Sequence, residues 1–114
     1  MQGEITALRM QPGGRRVRVY INGQSAFSLA VILAAGLRTG QWLADEDTAR
    51  LARENAREEA FQRCLGLLAR RPRSAAEIRR ALQARRLPAD DAEEVFRRLA
   101  ERGLIHDGEF ARAW

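Results

Sequence analysis

The chain contains no lysine: all 20 of its basic residues are arginine. A phosphate-binding loop of the G-x-x-x-x-G-K-[ST] kind is therefore excluded, and Gly13-Gly14 reads as a turn rather than a phosphate cradle. One cysteine means that no disulfide can form within the chain, and one histidine beside it rules out a standard zinc site. Cys64 falls on a helical apolar stripe with Ala60, Leu65 and Leu68, so it reads as a buried structural thiol. His106 lies in a turn before a helix cap and reads as a solvated or capping group. Carboxylates gather at 45–47 and 90–94, but each set opens a predicted helix, where acids favour the macrodipole. No catalytic constellation, metal site or cofactor site emerges, and the expectation is a protein that is not an enzyme. The longest apolar candidate, 26–36, is too short for the roughly 20 residues of a membrane span. The N-terminus shows no basic-then-apolar leader pattern. The chain reads as cytoplasmic, with no membrane partner.

What remains is an arginine-rich chain of 114 residues, long enough for one domain or two very small ones. Apolar residues make up 46%, which suffices for a modest core. The charge is unevenly spread. Residues 1–44 hold five Arg and one acid, residues 45–69 four Arg and six acids, residues 70–86 seven Arg and one acid, and residues 87–114 four Arg and seven acids. The densest positive block is thus 70–86, and such a block suggests an anionic partner, either nucleic acid or an acidic protein surface.

The front of the chain has strand periodicity. Residues 4–10 read as a first strand with Thr6, Leu8 and Met10 on one face. Pro12-Gly13-Gly14 is a turn. Residues 15–21 alternate strictly, Val17, Val19 and Ile21 on one face and Arg16, Arg18 and Tyr20 on the other. Asn22-Gly23 predicts a type I′ hairpin turn, and residues 25–29 return as a third strand with Phe27 and Leu29 toward the core. Residues 30–35 form a short predicted helix closed by Gly36. A sheet this small must cover its apolar face, and residues 30–51 are the expected cover.

The rest is helical. Asp45 is a predicted N-cap, and residues 46–71 contain no proline. They read as one long helix or as two broken near Asn55. Phe61, Leu65 and Leu68 are expected to pack on Ile78 and Leu82. Pro72 closes that segment. Ser74 and Glu77 have capping-box spacing, which predicts a helix over 75–86 with Ala75, Ile78, Ala81 and Leu82 on its apolar side. Pro88 opens the next helix, with Asp90 and Asp91 in its first turn and Ala92, Val95, Phe96 and Leu99 as its buried stripe. Glu93 to Arg97 and Glu94 to Arg98 are expected i, i+4 pairs. Gly103 reads as the C′ residue, Leu104 and Ile105 fold back, and Asp107 caps a last helix carrying Phe110 and Trp114. The expected class is α+β: a three-stranded antiparallel meander with a short helix over 1–44, a connecting helix over 45–57, and a three-helix unit over 58–114.

The candidate binding residues are arginines: Arg70, Arg71, Arg73, Arg79, Arg80, Arg85 and Arg86 in the block, with Arg16 and Arg18 on the hairpin. Arg70, Arg71 and Arg73 sit at a helix-to-helix corner with only Glu77 near in sequence. Arg16 and Arg18 share a strand face with Tyr20, a basic and aromatic surface suited to nucleic acid or a protein groove. Two short capped helices joined at Leu87-Pro88 superficially resemble a helix-turn-helix, so a stand-alone basic nucleic-acid-binding module is the alternative reading.

One ordered series of residues carries a family resemblance. It comprises Arg71-Pro72-Arg73-Ser74, Glu77-Ile78-Arg79, Leu82, Val95, Leu99, Gly103-Leu104-Ile105, Asp107 and Phe110-Ala111-Arg112-Ala113-Trp114. The front is similar more loosely, in Val19-Tyr20, Gly23, Phe27-Ser28-Leu29, Leu37, Gly40 and Leu43. The chain resembles the RecX family, regulators of the RecA recombinase. The resemblance implies tandem three-helix repeats that form an elongated, curved, basic molecule without catalytic residues. It implies binding to RecA and its nucleoprotein filament, and restraint of strand exchange, ATP hydrolysis and co-protease activity. A place in recombination, DNA repair and the SOS response goes with it, and DNA is a second candidate partner. The family pattern continues beyond 110–114 into further repeats, so the expectation is a short member or a piece of a longer chain. An exposed Phe110 and Trp114 would then form a patch able to drive homodimerisation.

Overall fold

The computed structural model describes residues 1–105; the expected Asp107 cap, the last helix, the Phe110 and Trp114 patch and His106 lie outside them. The class is α+β, and the chain divides into two compact units, Met1–Asn55 and Ala56–Trp114.

The first unit is built on strands β1 (Gly3–Met10), β2 (Arg16–Ile21) and β3 (Gln24–Ala30), helix α1 (Val31–Ala34) and strand β4 (Trp42–Leu43). The sheet has four antiparallel strands in the order β3-β2-β1-β4, where three were expected. The added strand exists because residues 40–43 return along β1. Ile5 N–H donates to Gln41 O at 2.8 Å and Gly40 N–H to Ile5 O at 2.8 Å. A strand of two residues is too short to show alternation in sequence. Asn22 (φ 52°) and Gly23 (φ 83°) both adopt the left-handed region, as the type I′ turn requires.

Strand β1 keeps Leu8 and Met10 on one face, opposite Val19 and Val17, but departs from expectation at Thr6. Ile5 is fully buried and Thr6 is exposed, because the register with β2 shifts between Ile5 and Ala7. A bulge of one residue moves every later side chain to the opposite face. Beyond it Leu8 packs on the core, while Met10 at the strand end is 59% exposed. The core of this unit is Ile5, Val17, Val19, Ile21, Leu29, Ala34, Leu43 and Leu51, with Leu33 and Leu37 packed against it.

Helix α2 (Asp45–Arg70) is continuous, and the boundary between the units falls inside it. Asp45 is its first residue. The carboxylate that accepts the open N–H of Ala44, at 2.9 Å, is that of Asp47. Asn55 does not break the helix. It is buried, and its Oδ1 accepts the N–H of Ala30 at 2.8 Å, within the first unit.

The second unit packs the later part of α2 with α3 (Ala75–Ala84) and α4 (Ala89–Glu101). Ser74 and Glu77 make the reciprocal capping box. Helix α3 ends two residues short of its expected end. Arg85 is the C-cap and Arg86 turns into the left-handed region at φ 58°, reversing the chain before Pro88. Helix α4 closes as a Schellman motif: Gly103 (φ 71°) donates to Ala100 O and Leu104 to Leu99 O. The core is Ala60, Phe61, Cys64, Ile78, Leu82, Val95 and Leu99, with Leu65, Leu68, Leu87, Phe96, Leu104 and Ile105 packed against it.

Candidate arginine surfaces

The structure sorts the arginine block by what each guanidinium already holds. Glu77 takes two of them: Arg71 at 2.9 Å and Arg73 at 3.8 Å. Arg71 also donates to Pro72 O, and Arg73 is largely buried. Hydrogen bonding from Arg71, and then from the Ser74 N–H, holds the Glu77 carboxyl below its ordinary 4.5. This corner of the chain is a closed structural device. Arg79 is bound as well. It pairs with Glu93 and lies over the Phe96 ring, 3.9 Å from the centroid, which ties α3 to α4.

Arg70, Arg80, Arg85 and Arg86 are exposed and make no ion pair with another described residue. Arg85 and Arg86 follow the C-terminal end of α3, where a cation meets the negative end of the helix dipole. Arg86 keeps a guanidinium at a left-handed position that glycine would fill at lower backbone cost.

The pairs expected along α4 are rearranged. Glu93 turns to Arg79 instead of Arg97, Glu94 pairs with Arg97 at 2.8 Å, and Arg98 reaches Glu58 of α2 at 3.3 Å. Arg98 leaves its local partner for the largely buried Glu58 because a desolvated pair interacts more strongly than an exposed i, i+4 pair, which contributes only a few tenths of a kcal/mol. Asp91 lies in the first turn of α4, as expected, and is buried beside Arg57 at 3.7 Å.

On the sheet the two hairpin arginines part company. Arg16 is half-buried and donates through Nε to Ser28 Oγ at 3.0 Å, and Ser28 Oγ donates in turn to Gln11 at 2.7 Å. Arg18 stays unpaired among the described residues, and the register sets it directly opposite Arg9 of β1. Arg9 lies over the Tyr20 ring at 5.5 Å. Arg9 was not among the expected binding residues, because its place opposite Arg18 follows from the register of β1 with β2. Trp42 was missed for a similar reason: it belongs to the unforeseen β4 and is 60% exposed.

Cys64 is buried, and burial pushes its thiol above the ordinary 9.0, against the opposing charges of Arg85 and Arg63. No group of three or more His, Cys, Asp or Glu among the described residues is placed to hold a metal ion. No described helix is long and apolar enough to cross a membrane.

Residues 60–99 match the model of the RecX first three-helix domain. Regulatory protein RecX of Streptomyces coelicolor is 47% identical over 57 residues, covering 50% of this chain and 30% of that protein. Regulatory protein RecX of Bacillus pumilus is 29% identical over 113 residues, covering 96% of this chain and 43% of that one. Over residues 60–99 the chain is thus similar to the first three-helix domain of the RecX family. A crystal structure of regulatory protein RecX superposes with a TM-score of 0.84 over 96% of this chain and 55% of its own, at 24% identity, which establishes a shared fold. The chain spans less than half the length of these two curated relatives. The matched segment contains every buried apolar residue of the second core, from Ala60 to Leu99. It also contains the capping box and the Arg79 pair with Glu93. Much of what marks this chain as RecX-like is therefore helix packing and capping.

Proposed function

We propose that this chain is a cytoplasmic, non-enzymatic regulator that binds the RecA recombinase and its nucleoprotein filament and restrains recombination, ATP hydrolysis and co-protease activity. Similarity to the RecX family supports the reading. The observation that carries it at residue level is the set of exposed arginines in the three-helix unit without a described acidic partner: Arg70, Arg80, Arg85 and Arg86. Arg71, Arg73 and Arg79 support the framework that displays them. An acidic surface is the complementary partner, and its attraction would act mainly on association rate and specificity.

A helix-turn-helix reading fits α3 and α4 less well. The helix that would enter the groove, α4, begins with Asp90, Asp91, Glu93 and Glu94. Of these, the exposed Asp90 and Glu93 would face phosphates with like charge.

The test is a RecA-dependent ATPase assay on single-stranded DNA, with a parallel measurement of chain retained on sedimented RecA filaments. Saturable retention and falling ATPase are expected. Replacing Arg80, Arg85 and Arg86 together by Gln should weaken both by about tenfold or more, the scale of a few charge-assisted contacts at roughly 1 kcal/mol each. Absence of retention by the unaltered chain at near-physiological salt removes the proposal.

A further inference from the structure

The outer face of the four-stranded sheet has a composition that the RecA reading does not use. Its inner face is set by Ile5, Val17, Val19, Ile21, Leu29 and Leu43. The residues between them in register therefore share the outer face. Arg18 on β2 stands opposite Arg9 on β1, Tyr20 opposite Ala7, and Trp42 on β4 opposite Glu4. Arg16 joins this face through Ser28 of β3. Directly opposed like charges destabilise an antiparallel pair. Neither Arg9 nor Arg18 has a carboxylate partner among the described residues. The first 44 residues contain one acid, Glu4, against five arginines. Trp42 is 60% exposed.

We infer that this face binds single-stranded nucleic acid, with Trp42 and Tyr20 as stacking platforms and Arg9 and Arg18 as phosphate contacts. Charge complementarity and the interleaved rings select the occupant. Bases offer a π-face to each ring, while the phosphates between them answer the guanidinium pair. Trp42 and Tyr20 are offset along β1 by the span from Glu4 to Ala7, roughly 10 Å of strand, so they would engage different nucleotides. A duplex holds its bases stacked inside and cannot present them to these rings, so a single strand is preferred.

The inference is independent of RecA, and so is its test. A fluorescein-labelled oligo-dT is titrated with the chain by anisotropy, and Trp42 emission is followed in a Trp114→Phe background. Saturable binding with quenching of Trp42 is expected, with affinity falling as salt rises. Trp42→Ala and Tyr20→Ala should each weaken binding by about tenfold. Arg9→Ser with Arg18→Ser should make the log–log salt slope shallower by roughly one to one and a half units. Trp42 is exposed, and quenching in the otherwise unaltered chain does not depend on how any sheet variant folds. Binding without quenching of Trp42, equal affinity for a duplex of matched length, equal affinity for polyglutamate, or no binding at low salt each overturns the inference.

Discussion

Arg9 and Arg18 oppose one another across β1 and β2, two guanidinium groups on adjacent strands with no described carboxylate between them. Such a pair opposes folding by roughly 0.2–1 kcal/mol. Replacing Arg18 by Thr removes the repulsion and leaves a good strand former. The expected outcome is a rise in unfolding free energy of about 0.5 kcal/mol at low ionic strength. The gain should largely vanish near 1 M salt, where the screening length falls to about 3 Å. Urea titrations of the Trp42 signal in a Trp114→Phe background measure it. A loss of stability at low salt would show that Arg18 makes a contact that favours the fold.

Asn55, near which a break in α2 was one of two readings, joins α2 to the junction of β3 and α1. Its Oδ1 accepts the Ala30 N–H at 2.8 Å, and the side chain is buried. Removing the acceptor leaves that N–H without its partner, at a cost of about 1–2 kcal/mol. Asn55→Ala and Asn55→Leu should lose similar amounts, although leucine keeps the side-chain volume. If Leu is well tolerated and Ala is not, packing rather than the hydrogen bond holds this junction.

The elements with strong periodicity were legible in sequence: the Val17, Val19, Ile21 alternation, the Asn22-Gly23 turn, and the stripes of α3 and α4. So were the Ser74–Glu77 box and Gly103, because caps are local chemistry. What the sequence hid was pairing. The bulge after Ile5, the return of residues 40–43 as β4 and the partners of Glu93 and Arg98 are each set by residues far away along the chain. The arginine field was visible as a charge count. Which arginines are already bound follows only from the packing of α3 on α4 and from the corner at Glu77.

Glu77 makes the second unit acid-sensitive. The bond from Arg71, the Ser74 N–H and the charges of Arg71 and Arg73 hold its folded pKa below 4.5. A carboxylate with a depressed folded pKa contributes stability that is fully present above its unfolded pKa. That contribution is lost as pH falls through the folded value. Asp47 carries the same sign in the first unit, through the Ala44 N–H and Arg50. The thermal midpoint of the three-helix unit should therefore drop as pH is lowered below the ordinary carboxylate range. Glu77→Gln keeps an acceptor but never ionises, so its midpoint should start lower at neutral pH and fall less steeply. Parallel curves for the two proteins would show that Glu77 does not titrate differently in the folded state.

The contact expected to matter most for the second unit is that of Arg98 with Phe61 and Glu58. The Arg98 guanidinium lies 3.8 Å from the Phe61 ring centroid and 3.3 Å from a Glu58 carboxylate oxygen, which leaves it 31% exposed and Glu58 10% exposed. Glu58 also accepts from Gln62 at 2.9 Å. This pair stands between a surface bridge, worth little, and a buried one, where removing one partner strands a charge. Arg98→Ala should cost about 2–3 kcal/mol, from the stranded Glu58, the lost stacking and the lost cover over Phe61. Arg98→Met with Glu58→Leu removes both charges and keeps the volume, and should restore at least half of that loss. Chemical denaturation of the single and double variants forms the cycle. A single-variant cost below about 0.5 kcal/mol would place Arg98 among ordinary surface pairs. A double variant no better than Arg98→Ala would mean that the carboxylate is not what suffers when Arg98 is removed.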